Sequence, residues 1–141
     1  MDMVQNDVIK SILHRRAIRR FETKQIEETA LQQILQAGQY APSAGGRQGV
    51  ILVVCQESIV NERLGKIKRA NSNPRMATST SYVSKEQPSI ADDPKLTNAF
   101  YDAPTVITMF APRNFLFASE DCAVAAENMM LAADSLGVGS C

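Results

Sequence analysis

The chain has 141 residues, with 15 Lys+Arg against 15 Asp+Glu, 45% hydrophobic and 21% charged residues. That balance is ordinary for a globular domain and excludes collagen, a disulfide scaffold and a disordered tail. The length suits one core and one domain over residues 1–141, and no apolar run approaches the ~18 residues of a membrane span.

The stretch from Met1 to Asp7 has no basic-then-apolar pattern, so a cytoplasmic protein is expected. From Asn6 to Arg16 the pattern predicts a helix with Val8, Ile9, Ile12 and Leu13 on one face and Asn6 or Asp7 as N-cap. Arg15, Arg16, Arg19 and Arg20 follow, around Ile18 and Phe21. Ile26 to Gly38 reads as a second helix: Glu27 and Glu28 suit its first turn, Leu31, Ile34 and Leu35 its apolar stripe, and Gly38 its stop. A loop, Ala41-Pro42-Ser43-Ala44-Gly45-Gly46-Arg47-Gln48, leads to the β-branched run Val50–Cys55, which predicts a strand covered on both faces.

Ile59 to Ala70 predicts a helix with Val60, Leu64 and Ile67 on one side. Residues 71–98 are polar and turn-rich, which reads as a functional loop or as a simply mobile one. Thr105 to Phe110 is a second strand. Ser119 to Leu136 is a long Ala-rich helix whose Ala123, Ala126, Met130, Ala133 and Leu136 suit close packing, with Gly137 turning the chain out of it. Four helices and two strands make an α+β domain. Two strands are marginal alone, so further strands or a second chain must complete the sheet.

Residues 1–70 hold 11 Lys+Arg and 7 Asp+Glu, and residues 71–141 hold 4 and 8. An electropositive first half suits an anionic ligand or an acidic partner surface. The guanidiniums of Arg15 to Arg20 offer planar forks for a phosphate, or simply complement a helix C-terminus. A neutral chain without aromatic interleaving argues against nucleic acid. Gly45 and Gly46 let backbone approach a flat ligand, with Ser43 and Gln48 as polar contacts, although GxGxxG is absent. Cys55, Cys122 and Cys141 are far apart and His14 is the one histidine, so no metal site is expected and the thiols read as free.

Taken in order, Arg15–Phe21, Ala41–Gln48, Phe100-Tyr101-Asp102-Ala103-Pro104-Thr105-Val106-Ile107, and Asp121–Cys141 resemble the flavin-dependent nitroreductase family. The resemblance runs from about Val8 to Cys141. It implies a nitroreductase-like fold, helices around a central antiparallel or mixed sheet, in an FMN-binding homodimer. It also implies electron transfer from NADH or NADPH to nitroaromatics, quinones or similar acceptors by a ping-pong route, with residues 71–98 lining the acceptor pocket. Carried over by position, Arg15, Arg16, Ala17 and Arg19 hold the flavin phosphate, ribityl chain and pyrimidine edge. Pro42, Ser43, Ala44, Gly46 and Gln48 belong to the loop that packs on the flavin from the partner subunit. Val138 and Gly139 match the turn beside the flavin's redox-active nitrogen. No side chain is implied as a catalytic acid, base or nucleophile, and His14 is expected beside the site or on the surface.

Two positions depart from the family pattern. Ala17 stands where Ser is common, so one side-chain hydrogen bond to the flavin is lost, and Gly46 stands where Asn is usual, so a polar contact is lost there too. Family members also continue past the position of Cys141 with a segment that adds a basic side chain to the phosphate site and embraces the partner. The chain therefore reads as lacking that segment and as dimerising less tightly than a longer relative. The competing expectation is a flavin-binding or structural protein of the same fold without turnover.

Overall fold

Asn6 opens the first helix: its Oδ1 accepts the amide of Ile9 at 3.0 Å, and α1 runs Asp7–His14. The computed structural model describes residues 6–71 and 95–141. After α1 come α2 (Glu28–Gln39), β1 (Ile51–Cys55), α3 (Ser58–Asn71), β2 (Val106–Phe110) and α4 (Ala118–Ser135), with one 3-10 turn at Ala44–Gly46. The α+β order is the expected one, and each helix and strand ends within two residues of its predicted limits. The expected acceptor loop, residues 71–98, lies largely outside the described residues.

β1 and β2 pair antiparallel, with Ile51 opposite Phe110 and Cys55 opposite Val106. Leu52 and Val54 share a face with their partners Met109 and Ile107. Leu52, Ile107 and Met109 pack on Ile34 of α2 and on Met129 and Ala133 of α4. On the other face Ile51, Val53, Thr108 and Phe110 are exposed. β1 is thus covered on one side, contrary to the reading of a strand buried on both. Its β-branched composition hid an alternation that only the placement of α2 and α4 on the same side brings out.

α2 and α4 lie against each other at Gly38. That glycine does not end α2; it is buried inside it, and a Cβ there would meet Met129 Cγ at 2.8 Å and Leu52 Cδ1 at 3.2 Å. Close approach, not chain reversal, is what glycine supplies here. The buried row of α4 is Asp121, Ala125, Met129 and Ala133, spaced four apart. Of the expected row only Ala133 belongs to it, while Ala123 and Leu136 are exposed. In an Ala-rich helix several rows are apolar enough to pack, and the groove beside α2 selects one.

α3 reverses expectation more fully. Val60, Leu64 and Ile67 are exposed, and its buried residues are Asn61 and Gly65. Asn61 Nδ2 donates to the carbonyls of Cys55 and Pro104, at 3.0 and 3.3 Å, and so ties the helix to the segments at the end of the sheet. Gly65 makes room for the buried Asn98. Asn98 Oδ1 accepts the Phe100 amide at 2.8 Å, its Nδ2 donates to Asp102 Oδ1 at 2.8 Å, and the Ala99 amide donates to the Gly65 carbonyl at 3.0 Å. The turn so held carries Tyr101 and Asp102 at φ 55° and 57°, a left-handed conformation that costs a side-chain-bearing residue about 1–2 kcal/mol.

Among the described residues no helix is long and apolar enough to cross a membrane. No group of three or more His, Cys, Asp or Glu among them could hold a metal ion.

Gly65→Ala tests the Asn98 junction. The new Cβ would stand 1.6 Å from Asn98 Oδ1, so the amide must leave its bonds. We expect a loss of about 2–3 kcal/mol in urea unfolding; an unchanged midpoint would contradict this packing.

Candidate functional site

α4 ends in a six-residue reversal that fixes where the chain goes next. The Val138 amide donates to the Ala133 carbonyl at 2.8 Å and the Gly137 amide to that of Asp134 at 3.0 Å, with Gly137 at φ 72°. This is the Schellman pattern, and glycine is needed for its left-handed residue. Val138 then packs against the core cluster. Two residues on, the Ile18 amide donates to the Ser140 carbonyl at 2.9 Å, and Ala17 and Ser140 form a parallel bridge. Gly139 lies under Ile18, where a Cβ would meet Ile18 Cγ2 at 3.2 Å. The structure therefore brings together the arginine segment and the Val138-Gly139 turn, two pieces that are far apart in the chain. A single-residue bridge has no alternating pattern, so this contact carries no sequence signal.

The arginines have different surroundings. Arg16 Nη1 donates to the carbonyls of Leu13, His14 and Arg15 at 2.7, 3.2 and 2.8 Å, closing the end of α1. Arg15 Nε lies 3.7 Å from Glu127 Oε1, an ion pair longer than a hydrogen bond, which leaves its donors open. Arg19 is half-buried; its Nε is buried with no hydrogen-bond partner among the described residues. Its guanidinium carbon lies 5.7 Å from the centroid of the Tyr101 ring. Arg20 is exposed. Ala17, Ile18, Arg19 and Arg20 line a shallow depression of about 370 Å³. His14 Nδ1–H donates to Asp134 Oδ1 at 2.9 Å and is itself exposed, a link between α1 and α4.

The second group is the loop after α2. Gly45 and Gly46 sit at φ 66° and 64°, and Gln48 at φ 49°. The Gly46 amide donates to the Ser43 carbonyl and the Gln48 amide to Ser43 Oγ, each at 2.9 Å. Ser43 thus closes the loop as an acceptor and keeps its hydroxyl proton to donate. The loop is fastened to the core by Asp121: the Ala44 amide donates to its Oδ1 at 2.9 Å. Pro42, Ser43 and Gln48 line a cleft of about 270 Å³ together with Gly38, Gln39, Ala41, Val50, Leu52, Asp121 and Ala125. Asp121 was missed as a functional anchor. Its signal is a carboxylate in the first turn of α4, four residues before Ala125 on the row that faces the core.

Within one chain these groups lie on different sides of α4. Glu127, near Arg15, and Asp134, bonded to His14, lie roughly 120–140° round the helix from Asp121 and some 9–20 Å along its axis. Resolved titration shifts among the described residues fall outside the site, on the exposed Glu62–Lys66 pair of α3. Their mutual hydrogen bond, then their opposite charges, lower Glu62 and raise Lys66.

Residues 12–141 match the sequence profile of the Nitroreductase family. A curated relative from Archaeoglobus fulgidus, provisionally named NADH dehydrogenase/NAD(P)H nitroreductase, is 32% identical over 95% of this chain and 65% of its own. The chain thus spans less than two thirds of that relative's length. A nitroreductase from Bacteroides fragilis, solved with bound FMN, is 32% identical with a TM-score of 0.74, over 97% of this chain and 69% of that one. An FMN-dependent nitroreductase from Clostridium difficile is 25% identical with a TM-score of 0.76, over 96% and 59%.

Asp121→Ala should leave the Ala44 amide unpaired. We expect a loss of about 1–3 kcal/mol in urea unfolding and faster hydrogen exchange at Ala44. Asp121→Asn keeps an acceptor oxygen and should lose less.

Proposed function

The chain belongs to the Nitroreductase family, and from that premise we propose that it is an FMN-dependent oxidoreductase. It passes electrons from NAD(P)H to nitroaromatic, quinone or similar small acceptors. It works as a homodimer in the cytoplasm, where Cys55, Cys122 and Cys141 stay free thiols.

The observation that carries this reading is the separation of two ligand-ready groups by α4. On this reading a cofactor gripped by both takes the arginine segment from one chain and the Pro42–Gln48 loop from another. The apolar surface fits such pairing: among the described residues Val8, Ile12 and Leu13 on α1, and Ile51 and Phe110 on the open sheet face, are exposed.

The residues present fit FMN. Arg15 and Arg19 have donors to spare, and a phosphate dianion or a pyrimidine carbonyl would satisfy the orphaned Nε of Arg19. Arg16 serves the site by closing the end of α1 through the carbonyls of Leu13, His14 and Arg15, where the arginine segment begins. Ser43 and Gln48 offer polar atoms on a loop whose glycines let backbone come close, and the Val138-Gly139 turn runs into the Ala17–Ser140 bridge. Bound there, FMN would supply the hydride and electron chemistry, which needs no side-chain nucleophile. The chain's own task is to anchor the anionic end, hold the ring plane and exclude water.

Flavin binding without turnover is the second reading. Ala17 and Gly46 favour it, because neither offers a polar side-chain atom. Oxidation of NADH or NADPH by the FMN-loaded protein with menadione or nitrofurazone separates the two: turnover supports the oxidoreductase, and bound FMN without turnover supports the second reading.

Arg15→Ala and Arg19→Ala should each weaken FMN binding about ten- to hundredfold in a flavin fluorescence titration, as loss of a charge-assisted bond costs about 1.5–3 kcal/mol. Arg20→Ala should change it little. Equal affinity in all four proteins would contradict the assignment.

In sedimentation at several concentrations, FMN should tighten dimerisation, since ligand stabilises the state that binds it. A monomer persisting at tens of micromolar with excess FMN would refute the dimer.

A further inference from the structure

Arg19 is held without being used up. Its Nε lies away from water with no hydrogen-bond partner among the described residues, and its guanidinium carbon is 5.7 Å from the centre of the Tyr101 ring. An aromatic face attracts a cation through its quadrupole and takes none of its N–H groups. A carboxylate in the same place would accept one or two of them. The ring therefore fixes the guanidinium and leaves its donors for something else.

Tyr101 reaches that position through a backbone that neither it nor its neighbour prefers. Tyr101 and Asp102 stand at φ 55° and 57°, and such conformations persist only where the surroundings impose them. Asn98, 3% exposed, imposes this one. Its Oδ1 accepts the Phe100 amide at 2.8 Å, its Nδ2 donates to Asp102 Oδ1 at 2.8 Å, and its carbonyl accepts the Tyr101 amide at 3.1 Å. A relaxed turn would cost less and would carry the ring elsewhere. Strain maintained by a buried amide, and ending on a cation with an unpartnered N–H, is the pattern of a device that places a group for a ligand.

We propose that Tyr101 is a positioning residue for the cofactor. Its ring, carried on the turn that Asn98 holds, keeps Arg19 in place with its hydrogen-bond donors unspent. The proposal rests on the flavin reading above and adds a residue to it, one that acts through Arg19 and not by touching FMN.

A double-mutant cycle tests this, read as FMN affinity by flavin fluorescence, with circular dichroism to confirm folding. Tyr101→Phe keeps the ring face and should bind within about twofold of wild type. Tyr101→Asn removes the ring yet tolerates left-handed backbone, and should bind about three- to tenfold more weakly. In an Arg19→Ala background the same Tyr101→Asn change should have no further effect, because the group it positions is gone. If Tyr101→Asn does not fold, Tyr101→Gly, which adopts left-handed backbone freely, takes its place in the cycle. An equal loss in both backgrounds, or none in either, overturns the proposal while leaving the flavin reading intact. Failure of the wild-type chain to take up FMN overturns the flavin reading and this proposal with it.

Discussion

A straight helix keeps things apart as firmly as it holds them together. α4 has 18 residues, which makes it about 27 Å long. It anchors one ligand-ready group at its beginning, through Asp121 and the Ala44 amide. It anchors the other on a different side and nearer its end, through Glu127, Asp134 and the reversal at Gly137. The two sides stand roughly 120–140° apart round the helix, which favours a cofactor shared with a second chain over one held within a single chain. The proposal that two chains share the cofactor follows from that separation, whereas FMN itself is proposed from the family and the open donors of the arginines.

The rest of the fold serves to keep α4 in register. Gly38 lets α2 approach until Met129 and Leu52 fill the space where a Cβ would be. One row of α4, with the covered face of the sheet, then makes a core of modest size: Leu31, Ile34, Ala41, Ala125, Met129 and Ala133 are its buried apolar side chains among the described residues. Leu116, Ile59 and Ile51 stay 81%, 79% and 63% exposed. Burial of such groups is worth about 1.5–3 kcal/mol each, so a second chain has much to gain by covering some of them. Polar bonds add precision at the edges. Gln25 Nε2 donates to the carbonyls of Gln56 and Pro104 at 3.1 and 3.0 Å, and pins the segment between α1 and α2 to the end of the sheet.

The elements were legible because each carries a local signal. Asn6 caps α1, Gly137 closes α4, and the two β-branched runs pair as strands. What faced what was less legible. In α3 the apolar side chains are exposed and Asn61 and Gly65 are buried, since the helix meets strand-end carbonyls and a buried amide in place of an apolar surface. A periodicity argument assumes that burial follows hydrophobicity, and here hydrogen bonding decided. Gly38 was misread because a glycine near a helix end has two uses, reversal and close approach, and sequence spacing does not separate them. The arginine segment and the Val138-Gly139 turn were recognised as pieces of one site only through family resemblance. Their contact, a bridge from Ala17 to Ser140, is too short to announce itself. Asp121 and Tyr101 stayed hidden because their roles lie in contacts made far along the chain.

The central claim is that one cofactor is shared between two chains, with the arginines of one and the loop of the other. Complementation measures this directly. One variant carries Arg15→Ala with Arg19→Ala; the other carries Ser43→Asp, which sets a second negative charge against an anionic ligand. Each alone should bind FMN weakly. In a mixed dimer one site has both defects and the other has none. Mixing the variants, with dimers allowed to exchange, should therefore restore tight FMN binding to a fraction of sites that tracks the mixed dimer. If both groups served a cofactor within one chain, mixing would restore nothing, and FMN binding would remain the average of the two variants.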